Sequence, residues 1–510
     1  MGRSETCREG GGYRVVRICV LEVLGMNPYV HYSATELARM IRVGEVTSRD
    51  VVEAHIAHIQ KVNPILNAVV KERFEAARSE AKAADRQRQE SDPAGLPPLH
   101  GVPCTIKESF QLRGMPQTSG HHTRREFYPE EDAITVKRLR QAGAIPLGVT
   151  NVPELCMWME THNQIYGRTN NPYDPTRIVG GSSGGEGAIV GAGASPFGLG
   201  SDVGGSIRGP AFFNGVWGHK GTGGLVPSSG QYPRAEGRAG RFLSTGPLCR
   251  RAEDLMPLLR IMAGPDGEDE SCESMELGDP ATVDLRGLRV LDVRGDGWLK
   301  VHPDLLDAQA RVARHLAERG ATVIPASFEK LRQSVQIWSS MLGGAQEPAL
   351  FRKLMGFSRK RDILRELALL GIRRSPHTLP ALLLSLLDEL SHVFPKATQK
   401  AIEAGLSLRE ELLSAMQPMG VMLYPTYVRP APRHRVPLTL PIHWSYTAII
   451  NVLELPATQV PLGLNQAGLP LGLQVVGMPR QDHVTIAVAL ELERAFGGWV
   501  FPEWQRRLFV

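Results

Sequence analysis

Apolar residues fall at helical spacing soon after Ser33. Leu37, Met40 and Ile41 follow the run Ser33-Ala34-Thr35-Glu36, whose serine and glutamate stand at capping-box spacing. Each of those side chains can satisfy the other's free backbone N–H. The pattern predicts a second helix over residues 49–61 and a third over the Ala-, Glu-, Lys- and Arg-rich stretch 72–89. Residues 91–98, with three prolines and a glycine, read as a loop, and 100–106 as a buried strand. Beyond them the two periods alternate. Helices are predicted over 133–141 and 305–318, and strands over 144–149, 288–293, 321–324, 421–424 and 471–476. Such alternation argues for an α/β layer architecture around a parallel or mixed sheet.

Length changes this picture little. The 510 residues suggest about three domains on a loose prior. Yet nothing from residue 33 onward reads as a linker except the acidic, loop-like stretch 264–280. Residues 1–32 read as a loosely ordered leader. Its apolar part, 13–26, is interrupted by Arg14, Arg17 and Glu22, so neither a transmembrane span nor a signal peptide is expected. The 53 glycines and 37 prolines exceed the usual share and exclude a coiled coil or simple helical bundle. Lys and Arg (58) outnumber Asp and Glu (53) by five, too small an excess to argue for nucleic acid. The six cysteines form no C-x-x-C pair, and no N-glycosylation sequon is present, so an intracellular chain is expected.

Glycine is concentrated where chemistry is expected: 20 of the 53 lie between Gly180 and Gly240. Neither a P-loop nor a dinucleotide fingerprint occurs there. The run Gly180-Gly181-Ser182-Ser183-Gly184 fits a nucleophile-elbow pattern, but the preceding residues are turn formers where an elbow needs a strand. A Ser-x-x-Lys pair, Ser327 to Lys330, lacks its companion motifs and reads as a surface turn. What remains is two serines and a distant lysine: Ser182, then Ser206 within Gly200-Ser201-Asp202-Val203-Gly204-Gly205-Ser206, and Lys107 at the end of an apolar strand pattern. A serine hydroxyl needs a base to become a nucleophile. A lysine serves as that base if burial disfavours its charged form. The glycines before Ser206 let successive backbone N–H groups turn toward an oxyanion. Glycine-rich structural turns are the competing explanation.

These residues resemble the amidase-signature serine hydrolases. Lys107 precedes Ser182 by 75 residues and Ser206 follows it by 24. Further matches are Asn151-Val152-Pro153-Glu154, Gly218-His219-Lys220, Thr245-Gly246-Pro247 and the late block from Pro461 to Gln474. The stretches 166–174, 210–214 and 496–500 are most similar to the fatty-acid amide hydrolase branch. The resemblance implies a single large α/β domain over 33–510, with a twisted mixed sheet surrounded by helices. It implies Ser206 as nucleophile, Ser182 as a cis-peptide serine that relays the proton, and Lys107 as neutral base. Backbone N–H groups of Val203, Gly204, Gly205 and Ser206 would form the oxyanion hole, with Ser183 and Arg208 in support. Amides of fatty acids, primary amides and N-acylethanolamines, would be cleaved through an acyl-enzyme, without metal or cofactor. The implied partners are the lipid amide and a membrane or lipid-droplet surface, with no nucleic acid and a homodimer left open. The implied location is intracellular, on the endoplasmic reticulum or lipid droplets. A glutamine-hydrolysing amidotransferase subunit and a non-catalytic lipid-binding relative stand as alternatives.

Two positions depart from the family pattern: Gly221 where proline is common, and Glu454 where the motif has glycine. The apolar stretch 379–387, following the basic stretch 359–374, suits either an interfacial helix or a buried helical pair.

Overall fold

The computed structural model describes residues 28–347, 350–388 and 394–508. One eleven-stranded sheet runs through the molecule. In spatial order its strands are Val69–Glu72, Ile145–Thr150, Pro103–Lys107, Phe197–Asp202, Ser244–Cys249, Trp217–Lys220, Ala457–Leu464, Pro470–Gly477, Gly420–Tyr424, Arg289–Asp292 and Thr322–Pro325. Pairing is mixed. Pro103–Lys107 is parallel to both of its neighbours, whereas the centre from Phe197–Asp202 to Gly420–Tyr424 is antiparallel. Helices pack around this sheet, and the largest of three apolar clusters collects side chains from Ala34 to Leu492. The expected mixed α/β domain is therefore present, and the acidic stretch 264–280 packs on it, Asp269 accepting from the Ser228 N–H at 2.8 Å and Glu273 pairing with Arg241.

Local chemistry explains the first helix. Ser33 caps Ala34–Val43, its Oγ accepting from the Glu36 N–H at 3.0 Å, and Gly44 closes it in the left-handed region at φ 77°. The helix expected over 72–89 runs over Phe74–Glu90. Its predicted first residue, Glu72, belongs instead to the edge strand Val69–Glu72. Besides that edge strand, four more strands of the large sheet escaped the sequence reading: Phe197–Asp202, Trp217–Lys220, Ser244–Cys249 and Ala457–Leu464. They are glycine- and polar-rich yet almost wholly buried, so tertiary context overrides weak β propensity.

The expected leader falls mostly outside the described residues, which begin at Pro28. Pro28–His31 forms a short 3-10 turn, and the His31 ring packs 5.4 Å from that of Phe501. Among the described residues no helix is long and apolar enough to cross a membrane.

The fold places chemistry at one end of the sheet. Parallel strands bring their C-terminal ends together, and the loops leaving them form a crevice. Lys107 is the last residue of its strand. In the neighbouring parallel strand, registered through Thr105–Gly198 and Ile106–Leu199, Asp202 is the last residue. The Ser206 loop follows directly.

Candidate active site

Lys107 is wholly buried. Its Nζ donates to Ser182 Oγ at 2.7 Å and to Ser201 Oγ at 2.9 Å. Burial pushes its pKa down from the ordinary lysine value, against the weaker pull of nearby acidic groups that include Asp202 and Glu186. Burial also pushes the Glu186 carboxyl up, to about 8, despite hydrogen bonds from Thr105 and Thr150. The two shifts run in opposite directions and favour a neutral amine over a buried ion pair. Gly198 makes room for this arrangement: a Cβ there would stand 1.7 Å from Glu186 Oε2.

The Gly181–Ser182 peptide is cis. No strand precedes Ser182 directly, so the arrangement is not a nucleophile elbow. Ser183 heads the helix Gly184–Gly191. Its N–H donates to the Ser206 carbonyl at 3.1 Å, and its Oγ donates to the Ser201 carbonyl at 3.3 Å. This pair of bonds ties the segment carrying Ser182 to both the Ser206 loop and the strand beside Lys107.

The Ser206 loop is built around Asp202. Its carboxylate accepts from the N–H groups of Gly205 (2.6 Å), Ile207 (3.1 Å) and Arg208 (3.3 Å). Burial raises the Asp202 pKa, but the adjacent Arg208 guanidinium more than reverses this and holds the group ionised. Arg208, also wholly buried, forks onto both Asp202 oxygens at 3.0 Å. It donates further to Gln474, Thr447 and Asn451. Gly205 adopts φ 113°, and a Cβ there would stand 2.0 Å from Thr447 Oγ1. The loop carbonyls are fixed as well: Trp338 Nε1 donates to Val203 O at 2.9 Å, and Thr447 Oγ1 to Gly204 O at 2.8 Å.

Of the four N–H groups expected as oxyanion donors, that of Gly205 is therefore engaged by Asp202. Those of Val203, Gly204 and Ser206 have no partner among the described residues. The loop offers three unpaired donors beside a serine hydroxyl.

Ser206 is half-buried at the wall of a cleft of about 730 Å³, counting its open mouth. Apart from the Gly180–Gly181 and Val203–Ser206 backbones and two threonines, Thr426 and Thr447, the lining is mainly apolar and aromatic, including Trp158, Phe213, Trp338, Leu384, Tyr427 and Trp444. The sequence reading missed Ser201 as a partner of Lys107, and Trp338 and Thr447 as anchors of the loop. Ser201 and Asp202 lay within the quoted motif. The other two are more than 130 residues away and carried no local signal. Another buried lysine, Lys220, lies outside this cleft. Burial lowers it to about 7, and its Nζ is held by the Leu455 carbonyl at 2.6 Å.

The departures from the family pattern are accommodated. Glu454 takes a left-handed backbone, φ 57°, where glycine is the unstrained choice. Its carboxylate receives a 2.8 Å hydrogen bond from Arg241 Nε. At Gly221 the carbonyl accepts from Ser244 Oγ at 3.1 Å. Lys330 of the Ser-x-x-Lys pair is salt-bridged to Glu411, away from the cleft, as a surface role requires.

The family model described as Amidase matches residues 50–486. The chain belongs to the amidase family. This amidase is 46% identical to human fatty-acid amide hydrolase 2 over 490 residues, covering 93% of this chain and 91% of that protein. It is also 46% identical to zebrafish fatty-acid amide hydrolase 2-B, with the same shares covered. Among solved structures, 6-aminohexanoate cyclic dimer hydrolase complexed with substrate superposes with a TM-score of 0.76 at 27% identity, over 94% of this chain and all of that one. The amidase is thus an amide hydrolase built as one large α/β domain.

Proposed function

We propose that this amidase hydrolyses fatty-acid amides, primary amides and N-acylethanolamines, through an acyl-enzyme on Ser206. The observation that carries the reading is the position of Ser206 between three unpaired N–H groups and an apolar, aromatic cleft. Neutral Lys107 takes a proton from Ser182, and Ser182 takes one from Ser206 as Ser206 attacks the amide carbon. The unpaired N–H groups stabilise the oxyanion. Collapse of the tetrahedral intermediate expels the amine, which receives the proton back along the same relay. Water then repeats the cycle on the acyl ester and releases the fatty acid. The similarity to fatty-acid amide hydrolase 2 over more than nine-tenths of the chain supports the lipid substrate.

A chain-length series of acyl amides tests the substrate class. Each methylene moved from water into an apolar site contributes about 0.8 kcal/mol, or about fourfold in kcat/KM, until the cleft is filled. Specificity should climb by that factor with chain length and then level off. Preference for short or aromatic acyl groups would defeat the lipid assignment and leave the amidase standing.

Membrane docking belongs to the same proposal. The helix Leu379–Leu387 is divided between the two roles expected of it. Ala381, Leu382 and Ser385 are buried, Leu384 lines the cleft, and Leu379, Leu383 and Leu387 face outward. Leu364 and Ile372 add exposed apolar surface beside the basic residues of 359–374. Such a surface suits an anionic lipid interface. Co-sedimentation with phosphatidylserine-containing vesicles should fall at least tenfold in Leu383→Glu/Leu387→Glu. Equal binding by the double variant would remove this surface from the reading.

A further inference from the structure

Three histidines and a glutamate meet outside the cleft. His121 and His122 open one turn, Glu154 begins another, and His377 stands just before the helix Leu379–Leu387. The rings of His121, His122 and His377 lie 4.7–5.5 Å from one another, centroid to centroid. Glu154 is 3% exposed and sits among them. Its Oε1 is 3.2 Å from His121 Nδ1 and 2.7 Å from His377 Nδ1, while Thr378 donates to its Oε2 through N and Oγ1.

A network of satisfied hydrogen bonds would account for Glu154 alone. It does not account for the imidazole nitrogens left over. His121 is wholly buried with Nε2 unpartnered, and Nδ1 of His122 is likewise buried without a partner. Burying polar atoms unpaired is costly, and two in one cluster point to a ligand. Each of the four residues offers one ligating atom, and the four atoms lie within 4.8 Å of one another. Around tetrahedral zinc, with bonds near 2.0–2.1 Å, ligating atoms stand about 3.3 Å apart. Small side-chain movements close that difference.

We propose that His121, His122, Glu154 and His377 bind one divalent transition-metal ion of the zinc class. Three imidazoles and one carboxylate suit zinc, cobalt or nickel, and disfavour calcium or magnesium, which take oxygen ligands. The role is structural, since none of the four residues lines the cleft and no step at Ser206 passes through them. The ion joins three segments distant in sequence. It fastens the start of the helix carrying Leu384 to the turn that leads into Cys156, Met157 and Trp158, and both segments wall the cleft. No sequence motif announces the set, because only the fold brings positions 121, 122, 154 and 377 together.

Elemental analysis and calorimetric titration of the full chain, first dialysed against a chelator, test the site. The wild type should take up one zinc per chain with a rise in melting temperature. Cobalt should give the visible absorption of a tetrahedral site. His122→Ala, at a half-exposed position, and His377→Ala should each weaken zinc binding at least tenfold and remove the thermal shift. His434→Ala, which alters a different His–Glu pair at Glu160, should leave the stoichiometry at one. No stoichiometric zinc on the wild type, or uptake by His122→Ala equal to wild type, overturns the proposal even if His377→Ala fails to fold.

Discussion

Ser206→Ala should lower amide hydrolysis by on the order of 10⁶-fold, the scale seen when a serine nucleophile is removed from a preorganised site. It should also abolish labelling by a fluorophosphonate probe. The substitution deletes one oxygen from a half-buried residue and keeps its Cβ. The clamp from Asp202 to Gly205, Ile207 and Arg208, and the bonds to Val203 O and Gly204 O, involve none of the deleted atoms. Thermal stability should therefore change by no more than about 0.5 kcal/mol. Comparing label incorporation and turnover in the two proteins decides the matter. A labelled Ser206→Ala, or one with activity within tenfold of wild type, would show that another residue is the nucleophile.

The next largest effect is expected at Lys107. Lys107→Ala should remove most activity at neutral pH, and part should return at high pH as hydroxide replaces the missing base. On the proposed mechanism the neutral amine is the active form in the wild type. Because burial depresses the folded pKa, activity should rise with pH through that depressed value and then level off. The sign for stability follows from the same shift. The folded state binds the proton less tightly than the unfolded chain, so the charged amine is a destabilising burden that disappears as pH rises. Removing the amine, as in Lys107→Met, should leave the protein at least as stable as wild type at lower pH. Paired pH–rate and pH–melting profiles separate loss of the base from loss of the fold. Unchanged activity at neutral pH would remove Lys107 from the mechanism.

The architecture and most of the candidate site were legible because they rest on local pattern. Strand–helix alternation marked the α/β class. The glycine-rich motifs marked Ser182 and Ser206, and an apolar run ending in Lys107 marked a lysine out of solvent. The strand Phe197–Asp202 was hidden because its glycines and serine weaken any strand pattern, although full burial between two partners settles its conformation. Trp338, Thr447 and Asn451 were hidden for a different reason. Each reaches the Ser206 loop from another part of the chain, and hydrogen bonds between distant segments leave no period in the sequence. The engagement of the Gly205 N–H by Asp202 is likewise a matter of three-dimensional aim.

The buried Asp202–Arg208 pair has a consequence for how this enzyme can be altered. It sets the direction of the loop's N–H groups without touching the cleft, since neither side chain lines it. Lesions in that pair should slow every substrate by a common factor, whereas substitutions at Leu384, Phe213 or Tyr427 should re-rank substrates. Trp338 and Thr447 are exceptions, because each lines the cleft and holds a loop carbonyl, Val203 O and Gly204 O respectively. Turnover and selectivity are thus separable axes, and Trp338 and Thr447 are residues where they meet.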